Sequence, residues 1–108
     1  MATLSEQRCK PCREGGASLK GEALKAYAEQ LNPDWDVVDE HHLRREFRFD
    51  DFRQALAFVN RVGELAEQEN HHPDIYLGYG RVRIDLWTHK IGGLHENDFV
   101  LAAKIDRL

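Results

Sequence analysis

A long amphipathic segment that stops at a His-His-Pro sequence is the strongest structural constraint in this chain of 108 residues. After Asp50-Asp51, either of which can cap a helix, apolar residues recur at helical spacing: Phe52, Leu56, Val59, Val62 and Ala66. This spacing predicts a helix that runs to about Glu69 and buries these side chains. Pro73 cannot continue a helix, and it favours an extended conformation for His72 before it. The helix is therefore expected to end with two adjacent imidazoles, His71 and His72.

Short alternating segments on either side of this helix predict two β-hairpins. Residues 35–38 and 43–49 form the first hairpin, and the second turns around residues 78–80. A first helix over residues 18–31, with Ser18 as its N-cap, and a last helix from about Glu96 complete the order. Because no parallel βαβ alternation appears, this order indicates an α+β fold. We expect a four-stranded antiparallel sheet with the helices packed on one face.

The predicted strands assign their side chains to two faces. Val82, Ile84 and Leu86 alternate with polar or aromatic residues, so they are expected to face the core together. Leu43 and Phe47 share one face of the first hairpin, and Arg45 is the exception on that face.

Composition and charge bound the domain and its partners. The chain is long enough for a single core, and 42% hydrophobic and 31% charged residues are typical of a globular protein. We therefore predict one domain over residues 18–108, preceded by an arm over residues 1–17 that is extended or mobile. The net charge of −4 provides no basic surface for nucleic acid. No apolar run suits a membrane span or a signal core, so a cytoplasmic location is expected.

The two cysteines, Cys9 and Cys12, lie in the predicted arm with the spacing of half a zinc knuckle or a redox pair. A structural zinc needs two further ligands, and none follows nearby. A thioredoxin-like motif opens a helix after a strand, whereas this pair precedes every periodic segment. We interpret the pair as part of a neutral arm, with a zinc half-site completed by a histidine or a second subunit as the alternative.

Residues with acid–base chemistry cluster where the predicted elements end. Glu67 lies one helical turn before His71, so the two can share a helix face. His89 ends a strand, and Asp98 lies in the first turn of the last helix. Taken alone, Glu67 fits a solvated charge and Asp98 fits a carboxylate at the positive end of a helix dipole. A second pair, His41-His42, lies in a predicted hairpin turn and is expected on the surface.

The spacing of these residues is more specific than any one of them. In order it is Glu67, three residues, His71-His72-Pro73, five residues, Tyr79, nine residues, His89, eight residues and Asp98. This order resembles the signature of the pterin-4a-carbinolamine dehydratases at every defined position. The similarity extends over about residues 19–108, including Trp35 and the segments FRFDDFRQALAFVNRVGELAE and THKIGGLHENDFVLAAKID. The cysteine-containing arm also looks like that of many bacterial members.

The resemblance implies the family's fold, assembly and reaction. It implies a homodimer or homotetramer and the dehydration of a 4a-hydroxytetrahydropterin to the quinonoid dihydropterin. This reaction supports recycling of a tetrahydrobiopterin-type cofactor, with a functional link to an aromatic amino acid hydroxylase. Carried over by position, the family's three essential histidines are His71, His72 and His89. The residues expected to bind or orient the substrate are Glu67, Pro73 and Asp98.

Three positions depart from the pattern of the family. His95 occupies the cap site of the final helix, where many relatives have Ser or Thr. Asn70 and Asn97 occupy positions that can be charged in relatives. These departures concern helix capping and the details of substrate binding more than the reaction.

The residues suit the dehydration chemically. A carbinolamine carries a hydroxyl and an amine on one carbon. An acid protonates the hydroxyl oxygen, and the nitrogen lone pair then expels it as water. A base takes the proton from the nitrogen. Histidine has an ordinary pKa of about 6.5, and positioned acid–base catalysis contributes roughly 10²–10⁴-fold. We assign proton transfer to His71 and His89 and substrate orientation chiefly to His72. No cofactor or metal is expected.

Three alternatives fit the same residues. Three histidines and a carboxylate are competent zinc or iron ligands, and Pro73 supplies the bend that adjacent histidines need to bind one ion. A partner-binding module is the second alternative, because animal relatives also act as dimerisation cofactors for a homeodomain transcription factor. The third is a role in another pterin pathway, such as molybdopterin metabolism.

Overall fold

The structure, a computed structural model, describes residues 3–9 and 18–108. Its elements follow the predicted order and are α1 (Gly21–Ala28), β1 (Asp36–Val38), β2 (His42–Arg48), α2 (Phe52–Glu69), β3 (Asp74–Gly78), β4 (Arg81–Leu86) and α3 (Glu96–Ile105). Short 3₁₀ turns add Leu4–Glu6 before α1 and His89–Ile91 between β4 and α3.

The four strands form one antiparallel sheet in the order β1-β2-β4-β3. Leu43 of β2 pairs with Leu86 of β4, and Ile84 of β4 pairs with Ile75 of β3. The predicted inward residues of β4, including Val82, are fully buried in one core cluster with side chains from the helices. The predicted α+β fold, with the helices on one face of the sheet, is therefore confirmed.

The first helix is shorter than predicted at both ends. It begins after Lys20 instead of Ser18 and ends at Ala28 instead of Leu31. The backbone N–H of Leu19 donates to the carbonyl oxygen of Leu94 at 2.8 Å, which holds the chain before the helix in an extended path. A long-range backbone contact therefore overrides the local capping signal of Ser18.

The bounds of α2 agree with the prediction, whereas the face that it buries differs. Asp51 caps the helix, because its Oδ1 accepts a hydrogen bond from the backbone N–H of Gln54 at 2.8 Å. The residues buried on α2 are Ala55, Phe58, Val62, Ala66 and Glu69. Phe52 and Leu56 were expected in the core but are 44% and 40% exposed. Leu56 precedes Val62 by six residues, which turns it about 120° around the axis at roughly 100° per residue.

Arg45, the charged residue on the inner face of β2, is held there by an ion pair. Arg45 Nη1 lies 2.6 Å from Asp106 Oδ1, at the C-terminal end of α3, and its guanidinium lies over the Phe47 ring. Asp106 also accepts hydrogen bonds from the indole N–H of Trp35 at 2.7 Å and from the backbone N–H of Asn32 at 3.1 Å. This cluster fastens the end of α3 to the first hairpin.

The described part of the arm packs against the domain. Leu4 is buried in the core cluster, and Lys104 of α3 donates to the carbonyl oxygen of Ser5 at 3.0 Å. Residues 3–9 are therefore docked, where an extended or mobile lead-in was expected. Cys12 lies outside the described residues, so the Cys9/Cys12 pair stays a prediction. Across residues 3–9 and 18–108, none of the helices has both the length and the apolar character that crossing a membrane requires.

Candidate active site

A cleft of about 500 Å³ lies where α2 ends, β4 ends and α3 begins. It is lined by Arg8, Cys9, Gln68, Glu69, Asn70, His71, His72, Trp87, Thr88, His89, Lys90 and Asn97. The structure thus brings the three predicted histidines together, although His89 follows His71 by 18 positions in the chain. His71 and His72 follow the end of α2, and His89 follows the end of β4, so these two element ends meet at the cleft.

The exit of the chain from α2 depends on Asn70. This residue adopts the left-handed conformation, with φ 52° and ψ 40°, and its backbone N–H donates to the last turn of the helix. The backbone N–H of His71 then donates to the carbonyl oxygen of Ala66 at 3.2 Å. Asparagine tolerates this conformation better than most residues other than glycine. The helix therefore ends four residues before Pro73, and Asn70 turns the histidine pair towards the cleft.

A buried carboxylate orients His71. His71 Nε2 donates to Asp98 Oδ1 at 2.6 Å, and Asp98 is fully buried. The other oxygen, Oδ2, accepts from the Thr88 hydroxyl at 2.8 Å and from the backbone N–H of His95 at 2.9 Å. Because an ionised carboxylate only accepts hydrogen bonds, the proton of the His71–Asp98 bond belongs to Nε2. This arrangement leaves Nδ1 as the nitrogen of His71 that can exchange a proton with a bound molecule.

A second carboxylate pairs with His72. His72 Nε2 and Glu67 Oε2 form a short hydrogen bond, and both side chains are exposed. The expectation that Glu67 shares a face with His71 is wrong, because α2 ends at Glu69 and the i, i+4 relation does not continue. Two histidines thus have two separate carboxylate partners.

His89 lines the same cleft, next to the Trp87 ring. It opens the 3₁₀ turn after β4 and is exposed, and its ring centroid lies 4.1 Å from that of Trp87. Trp87 also contacts His41, with centroids 4.5 Å apart, and His41 Nδ1 lies 3.0 Å from His42 Nδ1. The pair expected on the surface is therefore half-buried and linked to the cleft through Trp87.

Pro73 and Tyr79 lie outside the walls of the cleft. Pro73 is half-buried between His72 and β3, where it starts the extended segment that was predicted. Tyr79 lies in the exposed turn between β3 and β4. They contribute to the path of the chain and to the hairpin, since neither side chain lines the cleft.

The geometry of the carboxylate pairs bears on the metal alternative. Each of the histidines His71 and His72 directs Nε2 to its own carboxylate. Within residues 3–9 and 18–108, no three His, Cys, Asp or Glu side chains are grouped as a metal ion would require.

Several residues of the site were missed by the sequence interpretation. Asn70 carried a local signal, since an asparagine directly after a helical period is typical of a left-handed C-terminal cap. Trp87 was assigned to the outer face of its strand without a role. Arg8, Cys9 and Glu69 carried no signal, because their proximity joins segments 60 residues apart in the chain.

The fold and this cleft define a class of protein: a small α+β domain with two histidine–carboxylate pairs at the end of a helix and a third histidine after a strand. The family model described as pterin 4 alpha carbinolamine dehydratase matches residues 17–108. The chain belongs to the pterin-4a-carbinolamine dehydratase family, a family of hydro-lyases.

Relatives cover the full length of the chain. A protein of Rubrobacter xylanophilus named "Putative pterin-4-alpha-carbinolamine dehydratase" is 64% identical over 108 residues, which is 100% of both chains. A protein of Alkaliphilus metalliredigens with the same name is 50% identical over 107 residues, covering 99% of this chain and 96% of its own.

Two solved structures resemble the fold. A transcriptional coactivator/pterin dehydratase from Brucella melitensis has a TM-score of 0.76 and 31% identity, covering 82% of this chain and 95% of its own. A pterin dehydratase-like protein identified as a RuBisCO assembly factor in the alpha-carboxysome has a TM-score of 0.56 and 26% identity, covering 68% of this chain and 83% of its own.

Proposed function

We propose that this protein dehydrates 4a-hydroxytetrahydropterin to quinonoid dihydropterin by histidine general acid–base catalysis. The observation that carries the proposal is the His71–Asp98 pair on a cleft that also contains His72 and His89. In the reaction, the C4a–O bond breaks, the hydroxyl leaves as water after taking a proton, N5 loses its proton and the C4a=N5 double bond forms. The reaction thus needs one proton donor and one acceptor, and no oxidant or reductant.

The roles of the histidines follow from their partners. His71 exchanges a proton with the substrate through Nδ1, because Asp98 holds its Nε2 and fixes the orientation of the ring. His89, which lines the same cleft from the end of β4, supplies the second proton transfer. His72, whose Nε2 is hydrogen-bonded to Glu67, orients the substrate. Pro73 contributes by directing the chain after His72, not by touching substrate.

The direct test is turnover of freshly generated 4a-hydroxytetrahydropterin, followed by the absorbance of the quinonoid product. Addition of the protein should accelerate dehydration well above the spontaneous rate. The His71→Ala/His89→Ala double variant, if folded by circular dichroism, should return the rate to near the spontaneous one. Full activity of the folded double variant would contradict the mechanism.

The same assay tests the metal alternative. We expect exhaustive chelation to leave turnover unchanged, because both proton transfers have histidines available. Loss of turnover on chelation, restored by a single added metal ion, would favour a metal centre instead. Elemental analysis of the purified protein provides the independent measurement.

The cellular setting is part of the proposal. We infer a cytoplasmic enzyme that supports recycling of a tetrahydrobiopterin-type cofactor beside an aromatic amino acid hydroxylase, because this is what the family resemblance implies. Deletion of the protein should cause 4a-hydroxytetrahydropterin and its degradation products to accumulate in cells that run the hydroxylase. Unchanged pterin pools would argue for another pterin pathway.

A partner-binding role is the second candidate. It is favoured by the two similar structures, since one is a transcriptional coactivator/pterin dehydratase and the other is a RuBisCO assembly factor. Pull-down from a cell extract with the His71→Ala/His89→Ala variant as bait would test it, because a partner that still binds the inactive variant does not depend on catalysis.

A further inference from the structure

The N-terminal arm reaches the histidine cleft, and we propose that it forms a substrate-binding wall of that cleft. In this proposal Arg8 contacts the polar C6 side chain of the pterin, and Glu69 is the positioning residue that holds the arm. The inference rests on the proposed function, since it names the substrate class that the same cleft selects. The arm begins before the stretch that the family model matches, which is residues 17–108.

The arm follows α3 from its last turn to its first. Leu4 is buried in the core, and the Ser5 carbonyl oxygen accepts a hydrogen bond from Lys104 near the end of α3. At the other end, Cys9 Sγ lies 3.5 Å from the carbonyl oxygen of Asn97 in the first turn. Contacts at both ends place Arg8 and Cys9 beside the histidines.

Glu69 is the anchor of the arm. Its side chain is only 5% exposed, and a buried carboxylate is costly unless hydrogen bonds and opposite charges compensate for its lost hydration. Its Oε1 accepts a hydrogen bond from the backbone N–H of Cys9 at 2.9 Å. Its Oε2 lies 3.3 Å from Arg8 Nε and 3.8 Å from Lys104 Nζ. Two of these three partners belong to the arm, so docking of the arm and burial of this charge depend on each other.

The position of Arg8 indicates which part of a substrate it meets. Its Nε is held by Glu69, yet the side chain is 75% exposed at the rim of the cleft. A pterin ring that exchanges protons with His71 and His89 occupies this cleft, and in the proposed pose its C6 substituent points to the rim where Arg8 lies. The guanidinium presents planar N–H donors, which suit hydroxyl or anionic oxygens on that substituent. The arm therefore selects pterins with a polar C6 side chain.

The kinetic test compares two carbinolamine substrates, one with a hydroxylated C6 side chain and one with a C6 methyl group. For the hydroxylated substrate, Arg8→Ala should raise KM about three- to tenfold with kcat unchanged, as expected for loss of a solvent-exposed hydrogen bond of ordinary net strength. For the methyl substrate, KM should not change. Glu69→Ala should produce the same pattern, and the double variant should be no worse than Glu69→Ala alone.

Matched controls and a milder variant keep the kinetic result interpretable. Lys25→Ala removes an exposed cation from α1, and Glu64→Ala removes an exposed carboxylate from α2; neither residue lines the cleft. Both should leave the two KM values unchanged. If Glu69→Ala does not fold, Glu69→Gln retains an acceptor for the Cys9 N–H while removing the charge, and it should still raise KM for the hydroxylated substrate. Equal KM values for Arg8→Ala and wild type would overturn the role of Arg8.

A second readout does not require turnover. In a Cys12→Ser background, Cys9 is the single thiol of the chain, and its alkylation rate by iodoacetamide reports on the arm. A stable 7,8-dihydropterin with a hydroxylated C6 side chain should slow this alkylation, and Glu69→Ala should accelerate it while Glu64→Ala does not. Protection without any dehydratase turnover would end the proposed function and leave the arm as a binding wall. Turnover with no protection and unchanged KM values would overturn the arm proposal alone.

Discussion

At the scale of single residues, Asp98 joins the stability of a helix to the chemistry of the cleft. Its carboxylate is buried near the start of α3, where it caps the backbone N–H of His95 and receives the hydroxyl of Thr88. The remaining oxygen binds His71. A residue that satisfies helix N–H groups in this way is held rigidly, so it can hold an imidazole within the narrow geometry that proton transfer requires.

The histidines themselves provide the sharpest residue-scale prediction. His71→Ala and His89→Ala should each lower kcat by roughly 10²-fold or more, because each removes one proton transfer. His72→Ala should raise KM more than it lowers kcat, since His72 orients the substrate. Steady-state kinetics on 4a-hydroxytetrahydropterin measures both constants.

His41 and His42 repeat the dipeptide outside the family signature, but substitutions there are unsuitable as controls for this experiment. His41 packs on Trp87, which lines the cleft, so its loss can disturb the site indirectly. Lys25→Ala, exposed on α1, is the better control and should retain wild-type kinetics. Equal losses for Lys25→Ala and His71→Ala would remove the basis for assigning catalysis to the histidines.

His42 gives a prediction about pH and stability. Burial lowers the pKa of His42 from its ordinary value of 6.5; Arg44 and His41 lower it further, while Asp85 and Asp39 oppose the shift. The unfolded chain therefore binds more protons as the pH falls below about 6.5. The stabilisation by neutral His42 is complete above that pH and is lost as the pH falls through the folded pKa.

Chemical denaturation between about pH 7.5 and pH 5 tests this sign. The free energy of unfolding of the wild type should fall more over this range than that of His42→Gln, which cannot titrate. The difference between the two proteins, not the slope of either alone, reports on His42. Parallel profiles would show that the burial of His42 does not couple to folding.

At the scale of elements, the end of α2 determines how the histidine pair enters the cleft. Asn70 adopts the left-handed conformation there, and its side chain also lines the cleft. Asn70 therefore both ends the helix through its backbone conformation and contributes its side chain to the wall of the cleft. Glycine can adopt the same conformation without a side chain, whereas alanine is strained in it by about 1–2 kcal/mol.

Two substitutions separate these roles. Asn70→Ala should lower the free energy of unfolding by about 1 kcal/mol and raise KM, because the turn that presents His71 and His72 is strained. Asn70→Gly should retain the stability, and any change in its KM then measures the side chain alone. Urea denaturation and steady-state kinetics provide the two readouts. An Asn70→Ala variant as stable as Asn70→Gly would contradict the account of the turn.

At the scale of the whole molecule, α2 presents apolar side chains on two sides. Ala55, Phe58 and Val62 face the core, while Phe52 and Leu56 remain exposed one turn apart. Exposed large apolar side chains at neighbouring positions are typical of an association surface. The homodimer or homotetramer implied by the family resemblance would cover them.

We therefore expect light scattering to give a mass of two or four times 12.5 kDa at micromolar concentration. Leu56→Lys should shift the protein towards the monomer without unfolding it, because it places a charge in the covered surface while leaving the core unchanged. Lys25→Ala, on α1, should keep the wild-type mass. A wild-type mass of 12.5 kDa would contradict the predicted assembly.

The sequence by itself determined the elements, their order and the three histidines of the candidate site. The period of α2, the alternation in β4 and the turn residues between them are local signals, because each depends only on neighbours within a few positions. The same locality explains why Asp51 and the final helix start were predictable. The spacing of His71-His72-Pro73 and His89 identified the family before any geometry was known.

Only the tertiary structure decided which side chains meet. The pairing of His71 with Asp98 and of His72 with Glu67 depends on where α2 stops and how α3 approaches it. The tertiary structure also decided which face of α2 is buried. The sequence of a helix with two apolar stripes does not indicate which stripe packs against the sheet. The docking of Cys9 on Glu69 joins residues 60 positions apart. Such contacts arise from packing of the whole chain, and no local period in the sequence encodes them.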